Sequence, residues 1–214
     1  MDSFDFLIKT VLEWNEKINV TAIRDEAEFR EKNVLDSLAL VGRPEIEGAK
    51  RFLDLGTGGG FPGLPLAMEY PDKEFVLFDS VAKKLTVVSD TAEKLGLSNV
   101  KTLWGRAEEM GHKEELRESF DLVVSRAVAN MSSLAEYCLP FVKVGGWFVA
   151  YKTVTASEEL EAAHRAVKVL GGDGITAVPD GRESNEHVFA IVKKIAKTPA
   201  VYPRSGGAPR KKPL

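Results

Sequence analysis

The stretch RFLDLGTGGGFPGLPLAMEY, residues 51–70, decides the fold. Arg51 to Leu55 reads as a short strand. It runs directly into Gly56, Thr57, Gly58, Gly59, Gly60, Phe61, Pro62 and Gly63, and the helix-forming segment Leu64 to Tyr70 follows. Glycine tolerates positive φ and lets a ligand approach the backbone to contact distance. A nucleotide-binding turn at the carboxyl edge of a sheet needs both properties. A tight turn without a ligand could use the same residue, but five glycines in eight positions exceed what a turn alone requires.

Outward from this turn the chain alternates. Apolar runs fall at Phe52–Leu55, Phe75–Phe78, Val100–Trp104, Leu122–Val124, Trp147–Tyr151 and Val188–Val192, with helical patterns at Lys83–Leu95 and Ser132–Val142 between them. Such alternation argues for a parallel sheet covered by helices on both faces. Before it, Phe4, Leu7, Ile8, Val11 and Leu12 recur at helical spacing. A second amphipathic helix is expected from about Glu26 to Val41, with Val34, Leu35, Leu38 and Val41 on one face. Gly42, Pro44 and Gly48 interrupt the pattern. We expect a helical extension over 1–45, a Rossmann-like domain over 46–195 and a tail over 196–214.

Composition limits the function classes. The 214 residues are 44% hydrophobic and 29% charged, as in an ordinary globular chain, which excludes disordered and coiled-coil classes. One cysteine, Cys138, excludes a disulfide framework and a Cys-rich zinc module; it sits in an apolar helical stretch and reads as a packed thiol. His112, His164 and His187 share no metal-ligand spacing, so no metal is expected. The opening MDSFDFLIKT carries acids where a secretory leader needs positive charge, and no apolar run approaches the roughly 18 residues of a membrane span. A cytoplasmic monomer that avoids membranes is the expectation.

The net charge of −3 conceals an asymmetry. Seven basic residues and no acid lie between Lys193 and Leu214, which leaves 22 basic residues against 32 acids in residues 1–192, a net −10. The last stretch, YPRSGGAPRKKPL, is rich in Pro and Gly and is expected to lie extended. Composition alone leaves two roles open, a solvated tail or a contact to RNA phosphate.

The ligand of the glycine turn can be narrowed. Gly58, Gly60 and Gly63 satisfy the G-x-G-x-x-G spacing of dinucleotide sites, but that fingerprint starts directly after the strand, where Gly56 stands. Counting from Asp54 gives D-x-G-x-G-x-G through Gly56, Gly58 and Gly60, which resembles the first motif of class I S-adenosylmethionine-dependent methyltransferases. An acid beside a sulfonium is tolerable, whereas a pyrophosphate would be repelled by Asp54. Asp79, which ends the run Phe75–Phe78, can accept hydrogen bonds from both ribose hydroxyls, as acids do in doubly wound nucleoside sites. Ala107 and Glu108 follow the third strand, where an adenine-reading loop would sit; an exposed helix start explains the same letters nearly as well. Ser125, Arg126, Ala127 and Val128 follow the fourth strand, at the usual place of acceptor-specific residues. They contain neither an Asn-Pro-Pro-Tyr type segment nor a Pro-Cys nucleophile.

GTGGGFPGLPLA, FDS with Lys83 and Lys84, GRAEE, SRAVA, Lys152 in AYKT and the terminal YPRSGGAPRKKPL together resemble the bacterial small-subunit rRNA methyltransferase G family, also called glucose-inhibited division protein B. WNEKINVTAI and VLDSLAL at the N-terminal side resemble it too. The resemblance implies a class I methyltransferase fold, Rossmann-like with a mostly parallel seven-stranded sheet and N-terminal helices. It also implies S-adenosylmethionine as cofactor, 16S rRNA or a small-subunit precursor as partner, and methylation of a guanine N7; a class I enzyme with another acceptor is the alternative. Cofactor contacts are then expected at Gly56, Gly58, Gly60, Phe61, Asp79, Ala107, Glu108 and Arg126, and RNA contacts at Lys152, Arg204, Arg210, Lys211 and Lys212.

The missing residues fit this chemistry. Guanine N7 carries an in-plane lone pair and needs no deprotonation, so transfer from a sulfonium requires alignment more than a general base. The base becomes cationic as the sulfonium becomes neutral, which disfavours a cation against N7. Arg126 is therefore expected to bind a carboxylate, a phosphate or guanine O6. Phe61 either lines the cofactor entrance, stacks on the incoming base or packs in the core.

Overall fold

A computed structural model describes residues 2–126, 128–182 and 187–214 and places seven strands in a mixed α/β arrangement. The chain divides into two compact units, Met1–Trp104 and Gly105–Leu214.

In the first unit, helix α1 (Ser3–Asn15) starts at a capping box. The Asp2 carboxylate accepts from Phe4 N–H and the Asp5 carboxylate accepts from Asp2 N–H, which satisfies donors that a helix start leaves open. Leu7, Ile8 and Val11 bury one face of it. The expected second helix is present but is not uniform. It consists of α2 (Glu26–Phe29), a π-helical segment over Arg30–Leu35 and α3 (Asp36–Leu38). A π segment winds the chain by fewer degrees per residue than an α-helix and so rotates every later side chain about the axis. The result is that Val34 is buried as expected, Leu35 is exposed, and Asp36 and Ser37 turn inward; Val41 is also exposed, in a turn beyond the end of α3. A short helix α4 (Pro44–Glu47) leads to the sheet.

Strands β1 (Arg51–Leu55), β2 (Glu74–Asp79) and β3 (Val100–Trp104) run parallel in the order β3-β2-β1. Their connections are helices α5 (Gly63–Glu69) and α6 (Ala82–Lys94). Phe52 and Phe75 stack across β1 and β2 at 4.5 Å. Trp14 Nε1 donates to Asp90 on α6 at 2.6 Å and ties the N-terminal helix to the α/β layer. The register pairs Leu55 with Phe78, so the chain leaves β1 beside the end of β2, where Asp79 stands.

The second unit begins with α7 (Ala107–Met110) and holds β4 (Phe120–Arg126), β5 (Val142–Thr153), β6 (Thr176–Pro179) and β7 (His187–Lys193) in the order β4-β5-β7-β6. β4 and β5 are parallel, and β7 is antiparallel to both of its neighbours. Helices α8 (Met131–Cys138) and α9 (Ser157–Val169) pack against each other. The helical pattern expected over Ser132–Val142 stops at Cys138. Pro140 falls in a 3-10 turn over Leu139–Phe141, and Val142 already belongs to β5. Cys138 is buried, as its apolar neighbours imply.

The C-terminal segment departs from the extended tail expected of it. It folds back, ends in helix α10 (Ala208–Lys211) and packs on α8. Pro209 sits at the start of that helix, where its missing N–H costs nothing. The Arg117 guanidinium donates to the carbonyls of Gly111, Thr198, Pro199 and Tyr202 at 2.7–3.3 Å. Pro203 lies where a side chain on Gly111 would be, within 2.9 Å of its would-be Cβ. No helix of the described residues is long and apolar enough to cross a membrane.

Candidate functional site

The glycine turn is built on two carboxylates. Asp54, buried near the end of β1, accepts from Thr57 Oγ1 at 2.6 Å and from Gly63 N–H at 2.9 Å, both on Oδ2. It therefore closes the loop upon itself, spanning nine residues with one oxygen. The place of Asp54 beside the turn was legible in the sequence, but its bracing role was not; Thr57 three residues later is the signal that could have shown it. The backbone continues the bracing, because Gly56 and Thr57 N–H groups both donate to Phe78 O at 2.8 and 3.0 Å.

Asp79 is the second carboxylate. Its Oδ2 accepts from Gly58 N–H at 3.0 Å and its Oδ1 from Val81 N–H at 2.8 Å. Each oxygen of a carboxylate offers about two acceptor sites, so each retains capacity for another donor. A pair of ribose hydroxyls is such a donor set, and the residues present thus fit the expected nucleoside. Gly58 connects this acid to the turn. Its N–H reaches Asp79 while its φ is +60°, and a Cβ built there meets nothing closer than Gly56 O at 4.0 Å. The surroundings of Gly58 are open enough for a ligand to reach the backbone.

Gly60 is glycine for a different reason. At φ +100° a Cβ would come within 2.3 Å of Leu64 Cδ1, so the position serves packing of the turn onto its own helix. Phe61 is also core: it is buried, with its ring edge-on to Phe29 at 5.3 Å. Of the three roles open for Phe61, packing is supported by its contact with Phe29.

In the second unit, Ala107 begins α7 and is buried, with Glu108 half-buried in the first turn. Arg126 ends β4 opposite Tyr151 of β5. Ala127 of the SRAVA motif lies outside the described residues. Lys152 is held down: its Nζ donates to Ala129 O at 3.0 Å and to Glu159 Oε1 at 2.6 Å. Glu159 Oε1 also accepts from Met131 N–H at 2.5 Å, so the pair fastens the chain around the start of α8 to β5, which carries Lys152, and to α9, which carries Glu159.

The basic C-terminal residues separate into two groups. Lys194 is 0% exposed and donates to Leu139 O at 2.6 Å and Thr198 Oγ1 at 2.5 Å, with Glu118 at 3.5 Å. Burial pulls its ammonium down to about 8, against an opposing contribution from Glu118. Arg204 is engaged by Glu136, a buried acid of α8. Glu136 Oε1 accepts from the Arg204 N–H at 2.8 Å and from Nε at 2.9 Å, and Oε2 accepts from the guanidinium NH2 at 2.6 Å. The Arg204 guanidinium is held above its usual range, first by these hydrogen bonds. Arg210, Lys211 and Lys212, by contrast, are exposed on and after α10. The sequence missed Glu136 and Arg117 altogether, since an isolated acid and an isolated arginine carry no local signal of a distant partner.

A family model described as rRNA small subunit methyltransferase G matches residues 1–188. The protein named ribosomal RNA small subunit methyltransferase G of Clostridium perfringens (strain 13 / Type A) is 47% identical over 205 residues, covering 94% of this chain and 85% of the relative. That of Clostridium novyi (strain NT) is 45% identical over 204 residues, covering 94% and 84%. Among solved structures, a putative O-methyltransferase from Klebsiella pneumoniae is similar with a TM-score of 0.61 at 18% identity, over 89% of this chain and 90% of that one. The T. thermophilus 16S rRNA N2 G1207 methyltransferase, solved with AdoMet and guanosine, is similar with a TM-score of 0.54 at 18% identity, over 78% and 40%. These structural likenesses carry the fold, which is that of the class I S-adenosylmethionine-dependent methyltransferases, as expected from the glycine turn. The match over most of the chain, joined to close relatives of nearly its full length, means that the chain belongs to the rRNA small subunit methyltransferase G family.

Proposed function

We propose that this protein transfers the methyl group of S-adenosylmethionine to N7 of a guanine in the 16S rRNA of the small ribosomal subunit. Family membership supports the coarser statement, that it is an rRNA methyltransferase of the small subunit using this cofactor. The observation that carries the reading is the contact of Asp79 with Gly58 N–H, which sets a carboxylate with spare acceptor capacity against an open, positive-φ glycine turn.

Gly56, Gly58 and Asp79 would hold the cofactor, and Gly60, Phe61, Asp54 and Thr57 hold those residues in place. Ala107 and Glu108 are our candidates for the adenine edge, and Arg126 for orienting a carboxylate or guanine O6. The cofactor supplies an electrophilic methyl on a sulfonium. The protein's task is then alignment with the N7 lone pair, which needs no proton removed, and this agrees with the lack of an acid–base pair in the motifs. Arg210, Lys211 and Lys212 are the exposed cations we assign to RNA phosphate.

The test is to map N7-methylguanine in 16S rRNA by borohydride reduction and aniline cleavage, from cells with and without this protein. A cleavage site present only with the protein is expected. Identical cleavage patterns in the two RNAs would refute the N7 assignment.

A further inference from the structure

The Arg204–Glu136 pair has no role in methyl transfer as described, yet it ties the C-terminal segment to α8 through a buried charge. Glu136 is 0% exposed and the Arg204 side chain 26%. Three donors of one residue converge on one carboxylate: the backbone N–H, Nε and NH2. The same guanidinium donates to Lys212 O at 2.9 Å, so it reaches forward across the turn to the end of the basic run. A second tether lies between them, where Ser133 Oγ, one turn before Glu136 on α8, donates to Pro209 O at 2.7 Å. Between and beside these attachments Arg210 and Lys211 are exposed on a four-residue helix, too short to be stable by itself, and Lys212 is exposed just after it; Lys211 Nζ donates to Gly206 O at 3.3 Å.

We propose that Glu136 and Arg204 are positioning residues for RNA binding: the buried acid captures Arg204, and the captured guanidinium fixes the turn that presents Arg210, Lys211 and Lys212 to phosphate. This rests on the function proposed above and changes one expectation drawn from the sequence, since Arg204 then acts on RNA through its neighbours and not as a phosphate ligand itself. A guanidinium already bridging a buried carboxylate and a carbonyl has few donors left for phosphate.

The two roles make opposite forecasts for Glu136. If Arg204 were a phosphate ligand, neutralising Glu136 would release it and strengthen RNA binding. If the pair is a positioning device, neutralising Glu136 loosens the turn and weakens binding. The experiment measures filter binding and tritiated methyl incorporation on 16S rRNA purified from cells lacking this protein, between 50 and 300 mM KCl. Wild type is compared with Glu136→Gln, Arg204→Lys, Ser133→Ala and the double variant Lys211→Gln/Lys212→Gln. The lysine double variant should lower the salt slope by about 1.4, at ~0.7 per single-stranded phosphate contact. Glu136→Gln should lower affinity and reduce the slope by up to about 2, raise KM for RNA more than it lowers kcat, and add little to the lysine double variant. Arg204→Lys, which keeps the charge but not the fork, should fall between wild type and Glu136→Gln. Should Glu136→Gln fail to fold, Ser133→Ala decides, with a smaller change in the same direction.

Tighter binding or a steeper slope in Glu136→Gln, or an unchanged slope in folded Glu136→Gln or in Ser133→Ala, would overturn the positioning role alone. A wild type that fails to methylate this RNA would overturn the functional reading and this proposal with it.

Discussion

The glycine turn of residues 56–63 and the basic segment of residues 193–214 were both conspicuous as composition, one in glycine and the other in cations. Their structures differ in how composition relates to role. In the turn, residue type and role coincide: positive φ at Gly56, Gly58 and Gly60 demands glycine, and the two acids that brace it stand at the ends of β1 and β2. In the basic segment residue type misleads. Lys194 is buried among carbonyl, hydroxyl and carboxylate oxygens, Arg204 is bound to Glu136, and Lys193 Nζ lies over the Trp147 ring at 3.9 Å. Backbone demands are local and can be read from neighbours in sequence, whereas the fate of a charge depends on what folds against it.

The sharpest test of the turn sets Gly60 against Gly58. Gly60→Ala combines an unfavourable φ with a collision against Leu64, and should destabilise the protein by about 3 kcal/mol in urea denaturation. Gly58→Ala meets no such collision and should cost about 1 kcal/mol, while losing cofactor affinity out of proportion to that. Equal stability losses in the two variants would mean that the turn is packed uniformly and that Gly58 is not kept for a ligand.

For the basic segment, Arg204→Ala separates a bound segment from a loose one. It strands a buried carboxylate, so a loss of roughly 3 kcal/mol is expected, at the lower end for broken buried pairs because Arg204 is partly exposed. A change within about 0.5 kcal/mol, as for ordinary surface sites, would show that the segment is not held by this pair.

Lys194 gives a pH signature. The unfolded chain keeps this proton to near 10.5, whereas the folded chain releases it near 8. Between those values the unfolded state binds more protons, so stability rises with pH across that window. A gain of about 2 kcal/mol from pH 7.5 to 9.5 is expected for wild type, and it should vanish in Lys194→Met. A wild type whose stability is flat or falling over this range would contradict the buried, depressed ammonium.

At Arg126 the readout is catalysis instead of stability. Loss of its orienting contact in Arg126→Ala should lower methyl transfer about tenfold, equivalent to about 1.4 kcal/mol. Full transfer with normal cofactor affinity would remove Arg126 from the site.

Legibility followed the same division. The strand, turn and helix from Arg51 to Tyr70 were readable because strand periodicity, glycine and helix formers succeed one another without tertiary help. The apolar runs located six strands, but not β6, three of whose four residues are exposed and so show no apolar alternation. The face of the second N-terminal helix differs at Leu35 because nothing in the letters announces a π segment, and at Val41 because the helix ends at Leu38. Asp79 could be proposed from its place at the end of the run Phe75–Phe78. The shared oxygen of Asp54 and the captured Arg204 were not, since each depends on atoms brought together only by folding.

The proposed function requires the turn at Gly56–Gly63 to hold a sulfonium nucleoside with the help of Asp79. Isothermal titration of the purified protein with S-adenosylmethionine and, separately, with NAD tests this directly, with Asp79→Ala as control. Saturable binding of S-adenosylmethionine, weakened about 100-fold or more in Asp79→Ala, and no heat from NAD are expected. Binding of NAD in place of S-adenosylmethionine, or unaltered S-adenosylmethionine affinity in Asp79→Ala, would contradict it.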